Sequence, residues 1–109
     1  MKETFGEYIH NLRIENNLTL TKLAAALDID QSTLSKIENQ KRNVTEEILP
    51  KLAVQFDLNL EELEREFLSE KIAELIYRKE NTEDLLNLAK EKASYYKIKK
   101  ATQGLIKFN

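Results

Sequence analysis

Apolar residues recur every three or four positions along most of this chain, the period of helices that bury one face. Phe5, Tyr8, Ile9 and Leu12 form the first stripe. Thr4 and Glu7 make a capping box at its start, which predicts a helix from Thr4 to about Asn16. Leu20, Leu23, Ala24 and Leu27 form the second stripe, predicting a helix over about Thr21–Leu27 with Thr19 or Leu20 as its cap. Asp28-Ile29-Asp30 breaks the pattern, and Asp30 suits the N-cap of a third helix over about Gln31–Asn39. Thr45 caps a fourth, whose inner face is Leu49, Leu52, Ala53 and Phe56. Pro50 falls about five residues into it, so that helix either begins with an irregular turn or kinks. Leu58-Asn59-Leu60 opens a fifth, with Leu60, Leu63 and Phe67 inward and Glu61, Glu62 and Glu64 outward.

The pattern does not stop there. Leu68, Ile72, Leu75 and Ile76 continue an apolar stripe, and Asn81 or Thr82 then caps a helix carrying Leu85, Leu88, Ala89, Ala93 and Tyr96. These predict an αα-hairpin appended to a bundle already complete. Its stripes either fold back on that bundle or meet the same surface of a second subunit, and the second arrangement is the preferred expectation. It makes Leu68, Ile72, Leu75, Ile76, Leu85, Leu88 and Tyr96 a dimer interface. From Lys97 the periodicity fails. The expected organisation is a first domain over 1–68, a helical dimerisation extension over 69–97 and a flexible basic tail over 98–109.

The outer face of the third helix has an unusual composition. Gln31, Ser32, Thr33, Ser35, Lys36 and Asn39 supply amides, hydroxyls and one cation, with no Glu before Glu38. Such a face can hydrogen-bond to base edges in a major groove. The loop that follows holds Lys41 and Arg42, suited to the sugar-phosphate backbone.

Charge complicates that picture. The chain of 109 residues has 17 Lys and Arg against 19 Asp and Glu, a net charge of −2, which is not the composition of a basic nucleic-acid binder. Asp57–Glu66 is acidic, whereas the chain from Ser69 onward is basic. The tail offers a second reading on that account, as an addition to non-specific DNA affinity. Without cysteine, and with His10 as the single histidine, neither disulfides nor a metal site is expected, and His10 reads as a surface group. No phosphate-cradling Gly loop or nucleophile elbow is present, so neither an enzyme nor a cofactor is expected. No apolar run approaches the ~20 residues of a membrane span, and a cytoplasmic location is the expectation.

LTLTKLAAALDIDQSTLSKIENQKRNV resembles the helix-turn-helix of the Cro and phage-repressor class, the xenobiotic-response-element family of transcriptional regulators. The matching features are Leu-Thr before helix 2, Leu23-Ala24 within it, Gln-Ser-Thr opening helix 3 and Ser-Lys-Ile-Glu closing it. The similarity covers roughly residues 5–68 and implies an all-α fold, a five-helix repressor-like bundle to which the C-terminal αα-hairpin is attached. It also implies a basic residue at Arg13 directed to phosphate, and a Glu38 that ties helix 3 to the bundle. Leu20 stands where Gln is common, and Asp28 and Gln40 stand where Gly is usual, so two non-Gly residues are expected at positive φ.

The expected function is double-stranded DNA binding by a dimeric transcriptional regulator on a palindromic operator, as an autoregulatory repressor or a restriction–modification controller. Gln31, Ser32, Thr33, Ser35 and Lys36 are the candidate base contacts, Gln31 toward adenine and Lys36 toward guanine. Arg13, Thr21, Lys22, Asn39, Lys41, Arg42 and Asn43 are the candidate phosphate contacts. The alternative is a protein-interaction module, such as an antitoxin whose C-terminal helices hold a partner protein.

Overall fold

The structure is a computed structural model that describes residues 3–107 and the side chains of residues 3–103. The described residues form helices and no strand: α1 Phe5–Glu15, α2 Leu20–Ala26, α3 Gln31–Glu38, a 3₁₀ turn Glu46–Ile48 running into α4 Leu49–Phe56, α5 Leu60–Ile76 and α6 Thr82–Lys107. Thr4 caps α1 as expected, accepting from the Glu7 N–H while Glu7 Oε1 accepts from the Thr4 N–H. Thr19 and Asp30 do the same work for α2 and α3, accepting from the N–H groups of Lys22 and Thr33.

One stop signal ends the first three helices. Asn17, Asp28 and Gln40 lie in the left-handed region, with φ of 55°, 57° and 58°. Each is followed by a residue whose N–H returns to the helix: Leu18 to Arg13, Ile29 to Ala24 and Lys41 to Lys36. These are Schellman turns, which satisfy carbonyls that a helix end leaves free. The residues expected at positive φ, Asp28 and Gln40, are found there. Pro50 takes the second position of α4, where its missing N–H costs nothing, and the 3₁₀ turn supplies the irregular start.

The chain divides into two compact units after Glu74. In the first, Phe5, Ile9, Leu23, Leu27, Leu34, Ile37, Ile48, Leu49, Leu52, Leu63 and Phe67 are buried around one core, with Ala24 and Ala53 filling between them. The four leucines Leu23, Leu27, Leu34 and Leu52 are fully enclosed; each contributes roughly 1.5–3 kcal/mol. Leu23 on α2, Leu27 at its C-cap and Leu34 on α3 therefore fix the angle of the helix pair through a shared apolar centre.

Three expectations change. Residues 69–76 are no separate helix but the continuation of α5, because nothing between Phe67 and Ile76 breaks a helix. That continuation belongs to the bundle through Glu70, whose Oε1 accepts from the Phe5 N–H at 2.8 Å and so satisfies an orphan donor at the start of α1. The first unit accordingly runs past residue 68. The expected tail is helical through Lys107, since Lys, Ala and Gln from Lys97 to Gln103 are good helix formers uninterrupted by Pro or Gly; residues 108 and 109 lie outside the described residues. In the second unit α6 presents Leu85, Leu88, Tyr95, Tyr96 and Ile98 as exposed side chains and has Leu86 half-buried. No helix among the described residues is long and apolar enough to cross a membrane.

Candidate nucleic-acid interface

Burial on α3 follows its sequence pattern. Leu34, Ile37 and Glu38 are buried, Gln31, Ser32, Lys36 and Asn39 are exposed, and Thr33 and Ser35 are half-buried. Gln31, Ser32, Ser35 and Lys36 lie on one face and surround a shallow depression together with Leu20 from the start of α2. Thr33 stands at the edge of that face. Leu20 had no assigned place in the expected contacts; the structure puts it against the polar face, where its apolar side chain can meet a methyl group.

A hydrogen bond joins the two helices at this surface. Thr21 Oγ1 donates to Gln31 Oε1 at 2.7 Å. The bond sets the plane of the Gln31 amide and turns its nitrogen, with both N–H donors, away from α2. Asp30, fully exposed beside it, has its carboxyl held below the usual range, first by the backbone N–H and side chain of Thr33 and then by the nearby charges of Arg42 and Lys36. Lys22, Lys36, Lys41, Arg42 and Asn43 are all exposed, so the cations of α2, α3 and the following loop are available to an external anion. Asn39 spends one amide N–H on the Ser35 carbonyl and stays exposed.

Arg13 is the exception among the expected phosphate contacts. Its side chain is only 13% exposed and is directed inward: Nε donates to Glu38 Oε2 at 2.8 Å, Nη2 to Glu38 Oε1 at 3.0 Å and Nη1 to the Leu18 carbonyl at 3.1 Å. A bidentate pair with a buried carboxylate outcompetes a solvated role, so Arg13 locks α1 to α3. His10 is likewise more than a surface group, with Nδ1 2.6 Å from Glu38 Oε1. Glu38 thus ties α3 to the bundle, as expected of it. Glu38 falls four residues after Leu34, on the inward face of α3, where a buried carboxylate is compensated by a cation.

The expected dimer residues Leu68, Ile72, Leu75, Leu85, Leu88 and Tyr96 are exposed, and Ile76 is half-buried. No curated protein and no solved structure matches this chain. A family model described as helix-turn-helix matches residues 9–63, half of the chain, and runs from within α1 to the first turn of α5. With α2 and α3 packed through Leu23, Leu27 and Leu34 and the outer face of α3 left polar, the chain belongs to the helix-turn-helix family of the Cro and xenobiotic-response-element type, all-helical DNA-binding transcription regulators.

Proposed function

We propose that this protein is a sequence-specific repressor of the autoregulatory or restriction–modification controller kind, which binds a palindromic operator as a homodimer. The observation that carries the reading is the outer face Gln31–Ser32–Ser35–Lys36, exposed at Gln31, Ser32 and Lys36 and uncharged but for one cation, on a helix fixed by a fully buried core. On this reading α3 enters the major groove and its side chains pair with base edges, while Lys22, Lys41, Arg42 and Asn43 set register on phosphates. Exposed apolar side chains on α5 and α6, Leu68, Ile72, Leu85 and Leu88 among them, favour association. A two-fold dimer of this kind places its recognition helices about 34 Å apart, one turn of B-DNA. The same apolar side chains would serve the protein-interaction alternative, in which a partner protein takes the place of the second copy.

Selection of bound duplexes from a random pool tests the reading. A consensus with two-fold symmetry and half-sites one turn apart is expected; an asymmetric consensus counts against the dimer, and no consensus counts against specific recognition. On the selected operator, Gln31→Ala is expected to cost roughly 1–3 kcal/mol at one base position, and Lys41→Gln to weaken all duplexes alike and reduce the salt slope by about 1. Equal effects of the two substitutions on every duplex would contradict the division between base and phosphate contacts.

Thr21 acts on this reading through Gln31. With the hydroxyl on Oε1, the amide offers its N–H donors to an acceptor such as the N7 atom of adenine. Thr21→Val keeps the shape and frees the amide to turn over, so discrimination at the base read by Gln31 should fall several-fold while other positions hold. A uniform loss on all sequences would instead make Thr21 a phosphate contact.

A further inference from the structure

We infer that α6 from Lys90 to Lys100 is a second duplex-binding element, a basic helix that adds phosphate contacts to the few the helix-turn-helix unit supplies; the inference rests on the DNA-binding reading above. Charge is divided unevenly between the two units. Up to Glu74 the chain carries nine Lys and Arg against fifteen Asp and Glu, an excess of six negative charges. Beyond Glu74 it carries eight against four, which completes the 17 and 19 of the whole chain. The unit with the recognition face is therefore the acidic one, and its long-range field opposes a polyanion, although most non-specific affinity for DNA comes from cations that displace counterions.

Within the second unit the positive charge is concentrated further. Lys90, Lys92, Lys97, Lys99 and Lys100 lie within eleven residues that contain Glu91 as the one acid, and every side chain from Asn87 to Gln103 is exposed. The bland explanation, cations complementing the carbonyl end of a helix, accounts for charges in the last turn only. Here the helix runs on through Lys107, so Lys90 and Lys92 lie several turns short of its end. Helical geometry puts Lys92 and Lys99 on one face and Lys90 and Lys97 on another, each pair two turns or about 10 Å apart, with Lys100 between the faces. Tyr95 carries Lys99 near its ring, 6.0 Å from the centroid, and adds a planar group to the same surface. A rod charged on opposite flanks fits between the two lines of phosphates that border the major groove of a duplex. It needs no base contacts, so its contribution adds to every sequence alike.

The test is the salt dependence of binding by the full chain, on the selected operator and on an unrelated duplex of equal length. The variant Lys97→Gln/Lys99→Gln/Lys100→Gln keeps helix-forming side chains, and far-UV circular dichroism verifies that α6 persists. If each lysine meets one phosphate, the slope of log K against log salt flattens by about 0.9 per lysine. From 50 to 200 mM salt the wild type should then lose about 40-fold more affinity than the variant, on both duplexes, with the ratio between the duplexes unchanged. The matching Lys→Arg variant should keep the wild-type slope. An unchanged slope in the Gln variant overturns the assignment, as does an unchanged slope together with lost binding to phosphatidylserine vesicles, which would make α6 a membrane-surface helix. Gln31→Ala measured in parallel separates the two failures. If it leaves operator preference intact while the lysine variant flattens the slope, the recognition reading fails and the α6 assignment stands. If the wild type binds no duplex at low salt, both fall.

Discussion

Replacing Gly6 by Ala is expected to destabilise the bundle by about 3 kcal/mol, although Ala is the better helix former by about 1 kcal/mol. Gly6 lies in α1 and is buried, and a Cβ there would stand 2.1 Å from the carbonyl oxygen of Ile37 and 3.2 Å from its carbon. Both contacts are with backbone, so no rotamer change relieves them; α1 or the C-terminal end of α3 has to move. Moving them separates Phe5 and Ile9 from Ile37 and disturbs the turn at Gln40, which the side chain of Gln40 braces through a hydrogen bond to the Glu38 carbonyl. Propensity and packing thus predict opposite signs, which makes the measurement decisive. Urea unfolding of the full chain monitored by circular dichroism reads it: a lower midpoint at constant slope is expected. A stabilised variant would mean that α1 and α3 do not approach as closely as this. Against a total stability of the usual 5–15 kcal/mol, the expected loss is a large share.

Gly6 also marks where the sequence could be read and where it could not. The stripes of α1, α2 and α4 predict their buried residues because period and burial are two views of one geometry. The caps at Thr4, Thr19 and Asp30 are local, needing three residues to specify, and they appear as expected. The same holds for the positive φ at Asp28 and Gln40, which the helix stops impose whatever the side chain. By contrast, the closeness of Gly6 to Ile37 and the capping of Phe5 by Glu70 join positions 31 and 65 residues apart, and no local pattern encodes such distances. Whether the stretch after Phe67 packs with the bundle is non-local in the same way, since it depends on what Glu70 reaches. On the outer face of α3, Gln31, Ser32, Ser35 and Lys36 were legible as the polar arc of a short helix. Leu20 and the Thr21–Gln31 bond depend on how α2 crosses α3, and were not.

Arg13 shows how the partner of a single side chain changes what a substitution should do. As a phosphate contact, its loss would weaken DNA binding and leave the fold intact. As the partner of Glu38, its removal strands a carboxylate whose side chain is 4% exposed, with His10 as its remaining partner. Arg13→Ala is therefore expected to cost about 3–5 kcal/mol near neutral pH. Burial raises the Glu38 pKa, but the hydrogen bonds from Arg13 and then His10 outweigh it and hold the carboxyl below its ordinary 4.5. A depressed carboxylate pKa stabilises the fold in full above the unfolded value and loses that contribution as pH falls below about 4.5. Wild-type stability should accordingly decline in this window, and the gap between wild type and Arg13→Ala should narrow, because a protonated Glu38 no longer needs the guanidinium. Glu38→Gln supplies the control at neutral pH. In that background, Arg13→Ala removes an ordinary hydrogen-bonded neighbour and should cost nearer 1 kcal/mol. A penalty for Arg13→Ala that is the same at pH 7 and pH 3.5 would assign Arg13 to packing of its aliphatic stem, and the charge pair between α1 and α3 would lose its place in holding α3.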